Sequence, residues 1–368
     1  MSIVKISDIT TNLDNRRKPL NGEDRNKISI EKKYPYCGAN NIMDFVDDYL
    51  FDEEILCIAE DGGKWGLDET CSYIMNEKCW VNNHAHVIKV NNKNSTDIRY
   101  LKYWLNHKDL NKLITGAIVK KLTQKSLNNI EIDMPSIDEQ RKVCSKLDSI
   151  QDLIDIKKDQ INKLNDLIKS QFVGMFTNKN YSSVKLKNIS KVISGGTPNR
   201  SNSEYWNDGT INWVKTTELK NTYIDVAEEK ITENGLNNSS AKIVPKDTIL
   251  LAMYGQGKTR GMTGYLNVEA STNQACACII CDNTVNKKYI WNYLIMSYDE
   301  LRDMAKGGNQ PNLNLDMIKN FEIILPPIEL QNKFAQIVDQ IDKKKFEFEK
   351  SLKKLEELQA SLMQEYFE

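Results

Sequence analysis

The sequence predicts an α+β chain of two globular heads and two long helices, the helices pairing as an antiparallel coiled coil and the halves related by a pseudo-two-fold internal repeat. Three observations predict it. The stretch Ile130 to Phe176 recurs without a gap as Phe321 to Phe367, 191 residues further on, with Pro135 matching Pro326, Gln140 matching Gln331 and Phe176 matching Phe367. After each proline, about forty residues carry apolar side chains every three or four positions. Ahead of each copy, short apolar or β-branched runs end at Gly or Asn turns, as strands entering loops do. The expected divisions are a first head over 1–135, a central helix over 136–177, a second head over 178–326 and a C-terminal helix over 327–368.

In the first head, Ile55–Ala59 and His86–Val90 read as strands and Ile98–Leu113 as a helix. Ser136-Ile-Asp-Glu139 forms a capping box that starts the first long helix. Its seam runs Val143, Leu147, Ile150, Ile154, Lys157, Ile161, Leu164, Ile168, Gln171 and Met175. Only Thr177–Ser183 then separates this helix from the second head, so a pairing of the two helices has to be antiparallel. In the second head, Thr248–Met253 and Ala275–Cys281 read as strands and Tyr289–Ala305 as a helix. The second seam runs Phe334, Val338, Ile341, Lys345, Phe348, Leu352, Leu355, Gln359, Leu362 and Tyr366. Eight of ten positions are apolar in each seam. Val143, Leu147, Ile150, Ile161, Leu164, Val338, Ile341, Leu352 and Leu355 are the expected pairing contacts. A helix of this length measures ~60 Å at ~1.5 Å per residue, enough to span one to two turns of a duplex at ~34–36 Å per turn.

The heads agree in short islands. VKISDIT at Val4 resembles VKLKNIS at Val184, and Ile58–Ala59 before Gly62 resembles Leu251–Ala252 before Gly255. Asn83–His84–Ala85 is aligned with Asn273–Gln274–Ala275. Similar helices with diverging heads suggest one shared task and two specificities.

At 368 residues each half is long enough to bury its own core. Lys+Arg 50 against Asp+Glu 51 gives a net charge of −1, a weak argument against nucleic-acid binding. Local clusters at Arg16–Arg17–Lys18, Lys32–Lys33, Lys120–Lys121–Lys125 and Lys258–Arg260 answer it, because phosphate binding needs one positive face and not a positive total. No window approaches eighteen uncharged apolar residues, and MSIVKISDIT has no leader pattern. A cytoplasmic location with eight reduced cysteines and no membrane contact is expected.

The chemistry-bearing motifs are incomplete. His84-Ala-His86 would place two rings on one side of a strand, but no HExxH or convergent carboxylate accompanies them. Cys276-x-Cys278-x-x-Cys281 sits in an alternating strand pattern and lacks the second pair of a zinc site. Gly255-Gln-Gly257-Lys258-Thr259 resembles the end of a phosphate-binding loop, yet Ala252 stands where that motif needs glycine. Glu228-Glu229-Lys230 with Asp208 upstream is a common chance pattern in a chain this charged. Neither a catalytic centre nor a bound metal is expected.

Several longer stretches resemble a known family. YPYCGANNIMDFVDDYLFDEEILCIAEDGG (Tyr34–Gly63) followed by WVNNHAHVIKV (Trp80–Val90) looks like one version of the target recognition domain of type I restriction–modification specificity (S) subunits. SGGTPNRSNSEYWNDGTINWVKTTEL (Ser194–Leu219), LLAMYGQGKTRG (Leu250–Gly261) and STNQACA (Ser271–Ala277) look like another. NQPNLNLDMIKNFEIILPPIELQ (Asn309–Gln331) resembles the family's junction between head and helix. In the first head the asparagine-rich part of that junction is replaced by Ile118–Lys121.

The resemblance implies a non-catalytic DNA reader, each head recognising half of a split, asymmetric double-stranded site. The helices would set the gap and dock two methyltransferase (modification) subunits. Those partners would carry S-adenosylmethionine and methylate adenine at N6, while restriction subunits, where present, would use ATP and Mg. No cofactor is expected in this chain. The expected DNA contacts are Arg16, Arg17, Lys18, Asn40, Lys64, Asn83 and His84 in the first head. In the second they are Thr197, Arg200, Tyr254, Gln256, Lys258, Thr259, Arg260, Asn273 and Gln274. Basic side chains suit phosphate or guanine, and amides suit adenine N6 and N7. The competing expectation is a coiled-coil protein-interaction scaffold with two heads.

Overall fold

The computed structural model describes residues 2–116, 118–177, 179–255, 257–305 and 312–368. Their contacts gather into two compact units, residues 1–160 with 348–368 and residues 161–347.

The first unit runs β1 (Ser2–Lys5), α1 (Ile6–Ile9), β2 (Thr10–Asn12), α2 (Gly22–Lys27), β3 (Tyr34–Cys37), β4 (Ile42–Val46), β5 (Ile55–Ala59) and β6 (Ser72–Met75). It continues with β7 (Trp80–Val81), β8 (Ala85–Val90), α3 (Ile98–His107), β9 (Ile114–Thr115), β10 (Lys121–Leu122), α4 (Gln124–Asn128), β11 (Glu131–Met134) and the start of α5 (Ile137–Phe176). One sheet has the order β2-β8-β5-β6 and a smaller one β4-β3-β7. β1 pairs antiparallel with β11, Ser2 opposite Met134, so the two ends of the head are tied together beneath the long helix.

The second unit repeats this plan. After α5 come β12 (Ser183–Lys185), β13 (Ser190–Ser194), β14 (Ile211–Val214), β15 (Thr222–Ile224), β16 (Glu229–Ile231), α6 (Glu233–Asn237), β17 (Ile249–Ala252) and β18 (Thr263–Leu266). Then follow β19 (Ser271–Thr272), β20 (Cys276–Cys281), α7 (Lys287–Met296), α8 (Tyr298–Met304), α9 (Leu315–Asn320), β21 (Glu322–Ile324) and α10 (Ile328–Phe367). The sheets read β13-β20-β17-β18-β15 and β16-β14-β19, and β12 pairs with β21. Strand for strand, β13-β20-β17-β18 mirrors β2-β8-β5-β6, and β16-β14-β19 mirrors β4-β3-β7, down to the parallel pairing of the central strand with the last.

The sheet register corrects one alignment. Ala85 lies opposite Ala59 and Cys276 opposite Ala252, so Asn82, Asn83 and His84 correspond to Asn273, Gln274 and Ala275. The 191-residue offset therefore holds as far back as the start of β8 and β20, and aligning Asn83–His84–Ala85 with Asn273–Gln274–Ala275 is out by one residue. Two helices are also shorter than their periodicity suggests. α3 stops at His107 because Leu110, which is buried, turns back to bond the Trp65 carbonyl at 2.8 Å. The Tyr289–Ala305 helix is broken at Ser297 into α7 and α8.

The first long helix begins where the capping box predicts. The Glu139 N–H donates to Ser136 Oγ at 3.3 Å and the Ser136 N–H to Glu139 Oε2 at 3.1 Å. Four residues into each helix stands a buried glutamine. Gln140 Oε1 accepts the Asp97 N–H at 2.9 Å, and Gln140 Nε2 donates to the Pro135 carbonyl at 2.9 Å. Gln331 repeats both bonds, to the Asn286 N–H at 2.9 Å and the Pro326 carbonyl at 2.8 Å.

Within the first unit, the opening turns of α5 run antiparallel to the closing turns of α10. Lys146 Nζ meets Tyr366 Oη at 2.7 Å, Gln359 Nε2 meets Gln151 Oε1 at 2.9 Å, and Lys158 lies 3.4 Å from Glu356. Phe367 ends the helix inside the first head's core, 5.2 Å from the Tyr100 ring. Within the second unit, Phe172 and Phe176 at the end of α5 pack edge-on against Phe334 of α10, each at 5.5 Å. The residues of both seams are buried or half-buried throughout, and none is exposed.

Replacing Phe334 by alanine is expected to lower the unfolding free energy by ~3–5 kcal/mol. Gln331→Leu should cost ~1–3 kcal/mol by stranding the Asn286 N–H. Urea denaturation followed by tryptophan fluorescence measures both.

Candidate nucleic-acid interface

Because β2, β5 and the start of β8 share one end of the first sheet, the connections after β2, after β5 and between β7 and β8 emerge side by side. The equivalent three loops of the second head follow β13, follow β17 and join β19 to β20. Backbone hydrogen bonds lace the loops in the same way in both heads. The Asn82 N–H bonds the Cys37 carbonyl at 3.1 Å, and the Asn273 N–H bonds the Val214 carbonyl at 3.1 Å. Glu60 N–H to His84 O at 2.9 Å is matched by Met253 N–H to Ala275 O at 2.8 Å. Lys18 N–H to Val81 O at 3.3 Å is matched by Gly196 N–H to Thr272 O at 2.8 Å. An indole completes each set, Trp80 Nε1 donating to Lys18 O at 2.7 Å and Trp213 Nε1 to Gly196 O at 2.9 Å.

In the second head the lacing explains a glycine pair. A Cβ on Gly195 would stand 2.1 Å from the Thr272 carbonyl oxygen, and one on Gly196 would stand 2.4 Å from the Ala241 nitrogen. Thr197 can then donate to Gln274 Oε1, which sets the orientation of that exposed amide. Asn273 is half-buried, its Oδ1 enclosed without a hydrogen-bond partner, and Gln274 is the more exposed of the two amides.

The loop after β17 is held from behind by α8. Tyr298 Oη donates to the Lys258 carbonyl at 2.7 Å and Arg302 Nη1 to the Arg260 carbonyl at 2.9 Å. Tyr254 and the Lys258 side chain are exposed, Thr259 is half-buried, and Arg260 is half-buried with Nε enclosed by protein. Gln256 lies outside the described residues. The loop joins antiparallel strands β17 and β18, whereas a P-loop opens a helix, so its likeness to that motif is confined to sequence. Arg200 lies over two indoles and pairs with Glu229. Glu228 and Glu229 both meet Lys215. The acidic triplet thus belongs to a network of ion pairs.

In the first head, Lys64, Asn83 and His84 are exposed, and Asn40 Nδ2 reaches the Gly62 carbonyl at 3.1 Å. His84 Nδ1 lies 2.7 Å from Asp61 Oδ1. Lys18 is exposed with Nζ 5.9 Å from the Trp80 ring. Arg16 lies over Phe51 at 4.6 Å and bonds Glu53 and the Leu50 carbonyl, so its guanidinium ties the loop after β2 to the segment ahead of β5.

Arg17 is a correction. Its guanidinium turns inward to Glu60, to Asp14 at 3.4 Å and to the Ala85 carbonyl at 2.6 Å, leaving a structural cation in place of a phosphate contact. His86 joins the same cluster and is almost wholly buried, its Nδ1 2.6 Å from Asp14 and its Nε2 2.8 Å from the Leu122 carbonyl. His84 and His86 therefore do not share a face; His84 precedes the strand and faces solvent. Burial alone would push the Asp14 carboxyl up, but hydrogen bonds from His86 and the Val87 N–H hold it below its ordinary range. Burial likewise raises Glu60, and Lys121 and Arg17 more than reverse this. Among the described residues, Asp14, Glu60 and His86 are grouped closely enough to hold a metal ion. Arg17 and Lys121 already neutralise the two carboxylates, so the arrangement fits a cluster that ties the loops together. The Cys276, Cys278 and Cys281 side chains are buried on β20, where burial pushes the Cys278 thiol to about 11 and Cys281 to about 12.

The sequence matches the family described as Type I restriction modification DNA specificity domain twice, over residues 1–166 and 178–360. The chain belongs to that family. Its role is accordingly that of a type I specificity subunit, recognising DNA sequence.

Among its relatives, a Haemophilus influenzae chain assigned by name to the type I restriction enzyme specificity subunits is 27% identical over 366 residues, 92% of this chain and 86% of that one. The EcoR124I/EcoR124II specificity subunit of Escherichia coli is 25% identical, over 68% of this chain and 64% of its own length. The crystal structure of the type I S subunit from M. genitalium aligns with a TM-score of 0.63 at 14% identity, covering 98% of this chain and 94% of that one. A structure described as the basis of complex assembly and conformational transition of the type I R-M system aligns at 0.55, also at 14% identity, covering 100% and 97%. Both likenesses concern the fold. Among the described residues of this specificity subunit, no helix is long and apolar enough to cross a membrane.

Sequence reasoning missed Trp206, Trp213, Glu229, Tyr298 and Arg302. Except at Trp206, whose contacts lie within seven residues, the contacts join positions farther apart in the chain, which spacing alone does not reveal.

Asp14 and Glu60, with folded values below the unfolded ~3.9 and ~4.3, add stability above that range and lose it as pH falls through their depressed values. Arg17→Met is expected to be less stable than the native chain at pH ~7 and to converge on it as pH drops below ~4. Urea midpoints measured along that pH series check it.

Proposed function

We propose that each head reads one part of a bipartite, asymmetric DNA site through the three loops at one end of its sheet. The observation that carries this is the pairing of a shared order of four strands and a shared loop lacing with unlike loop tips. Lys18 and Lys64 in the first head, and Lys258 in the second, are placed to meet phosphates, which fix position without carrying sequence information. Asn83 and Gln274, at equivalent positions and both exposed, are placed to meet base edges. A chain of net charge −1 suits a reader that shares its hold on the duplex with partner subunits.

In this reading the chain performs no chemistry of its own. Two methyltransferase subunits dock on the long helices, supply S-adenosylmethionine and extrude the target adenine for N6 methylation. Restriction subunits, where the system has them, bring ATP and Mg. The helices set the unspecified gap, since a 40-residue α5 rises ~60 Å at ~1.5 Å per residue.

Methylome sequencing of a host expressing this chain with the methyltransferase of its own system tests the reading. A split motif is expected, and methylation without one would refute it. A four-residue insertion after Ile154, about one helical turn, is expected to lengthen the gap and leave both half-sites unchanged. Changed half-sites with the same gap would count against a ruler. Lys258→Ala is expected to weaken binding across sequences and to reduce the salt slope by ~1, as titrations at several salt concentrations measure.

A further inference from the structure

We infer that Arg200 determines specificity in the second head by reading a guanine, and that Trp206, Trp213 and Glu229 are positioning residues that aim its guanidinium. The inference rests on the DNA-reading role proposed above and names one base class within it.

The Arg200 guanidinium carbon stands 3.7 Å from the Trp206 ring centroid and 4.6 Å from that of Trp213. The two indoles meet edge-on at 5.0 Å, so the cation rests in the corner they form. Each indole is fixed in turn. Trp206 Nε1 donates to the Asn199 carbonyl at 3.1 Å, and buried Trp213 donates to Gly196. Arg200 Nη1 pairs with Glu229, whose other oxygen is held by Lys215 at 2.8 Å. Restraint is thus applied to the faces and to one nitrogen of a guanidinium whose side chain is still 50% exposed.

A phosphate contact asks only for charge within reach and tolerates a wandering side chain. A bidentate contact to guanine O6 and N7 asks for a planar fork held in one orientation. With Nη1 engaged by Glu229, the Nε–Nη2 edge makes no hydrogen bond to another described residue, and this edge presents two parallel donors. The surroundings agree. Arg200 leans on β14 through Trp213 and on β16 through Glu229, while Gln274 follows β19 on the other side of β14. Thr197, three residues before Arg200, fixes the Gln274 amide. Two restrained hydrogen-bonding groups therefore stand over one small sheet at the loop end of the head.

The test uses the chain assembled with the methyltransferase subunits of its own system, offered a duplex library randomised in both half-sites at fixed salt. The native complex is expected to select guanine at a position that Arg200→Lys relaxes by roughly 5- to 150-fold, with all other positions unchanged. Glu229→Gln and Trp206→Ala, which leave Arg200 in place, should relax the same position in part, and Trp206→Phe should restore it. A purely structural role would weaken all sequences alike and keep the preference, and that result overturns the inference. An unchanged motif in Arg200→Lys also overturns it while leaving the DNA-reading role intact. A native complex that selects no sequence overturns both.

Discussion

A single buried amide on each long helix governs how that helix leaves its head. Gln140 and Gln331 each use one end of the amide to accept the backbone N–H of the residue that caps the head's own helix and the other to donate to the proline carbonyl before the long helix. A buried amide left half-satisfied costs free energy, so these bonds admit one rotation of the helix about its axis. That rotation decides which side chains face the neighbouring helix. Eight residues on, roughly two turns, an acidic residue repeats the grip, Asp148 on Arg99 at 2.8 Å and Asp339 on Lys288. Two fixed points along one helix leave little freedom to roll or pivot, and the apolar seam follows from them.

The long helices were legible because their information is local. A capping box, a period between three and four and a repeat at constant offset need no knowledge of tertiary contacts. The heads were legible as strands and turns, not as an assembly. The one-residue misalignment at Asn83 came from matching residue types, whereas the pairing of Ala85 with Ala59 and Cys276 with Ala252 fixes the true register. The early end of α3 depends on the bond from Leu110 to the Trp65 carbonyl, remote in the chain. Arg17 shows the same limit. A run of Arg16, Arg17 and Lys18 looks like one positive patch, yet the fold sends its three members to an aromatic ring, a carboxylate cluster and the surface.

Of the expected contact residues, the structure brings Arg16, Lys18, Asn40, Lys64, Asn83 and His84 to the surface of the first head and Arg200, Tyr254, Lys258 and Gln274 to that of the second. The residues that prepare this surface were invisible in sequence, because preparation is indirect. Tyr298 and Arg302 hold the backbone of a loop whose lysine, Lys258, is exposed. Trp213 bonds a glycine carbonyl on one side and supports a guanidinium on the other. Such residues are apolar or commonplace in type, and their importance comes from position.

Most of the stitching between neighbouring loops in both heads is made by main-chain groups, which every residue but proline possesses. Side chains at the outermost tips are thereby relieved of folding duties. Lineages can rewrite those tips by point mutation, or exchange a whole segment between chains, while inheriting an intact framework. Rapid turnover of recognised motifs would then require no rescue elsewhere in the molecule, a property that favours any host obliged to keep changing the address it defends.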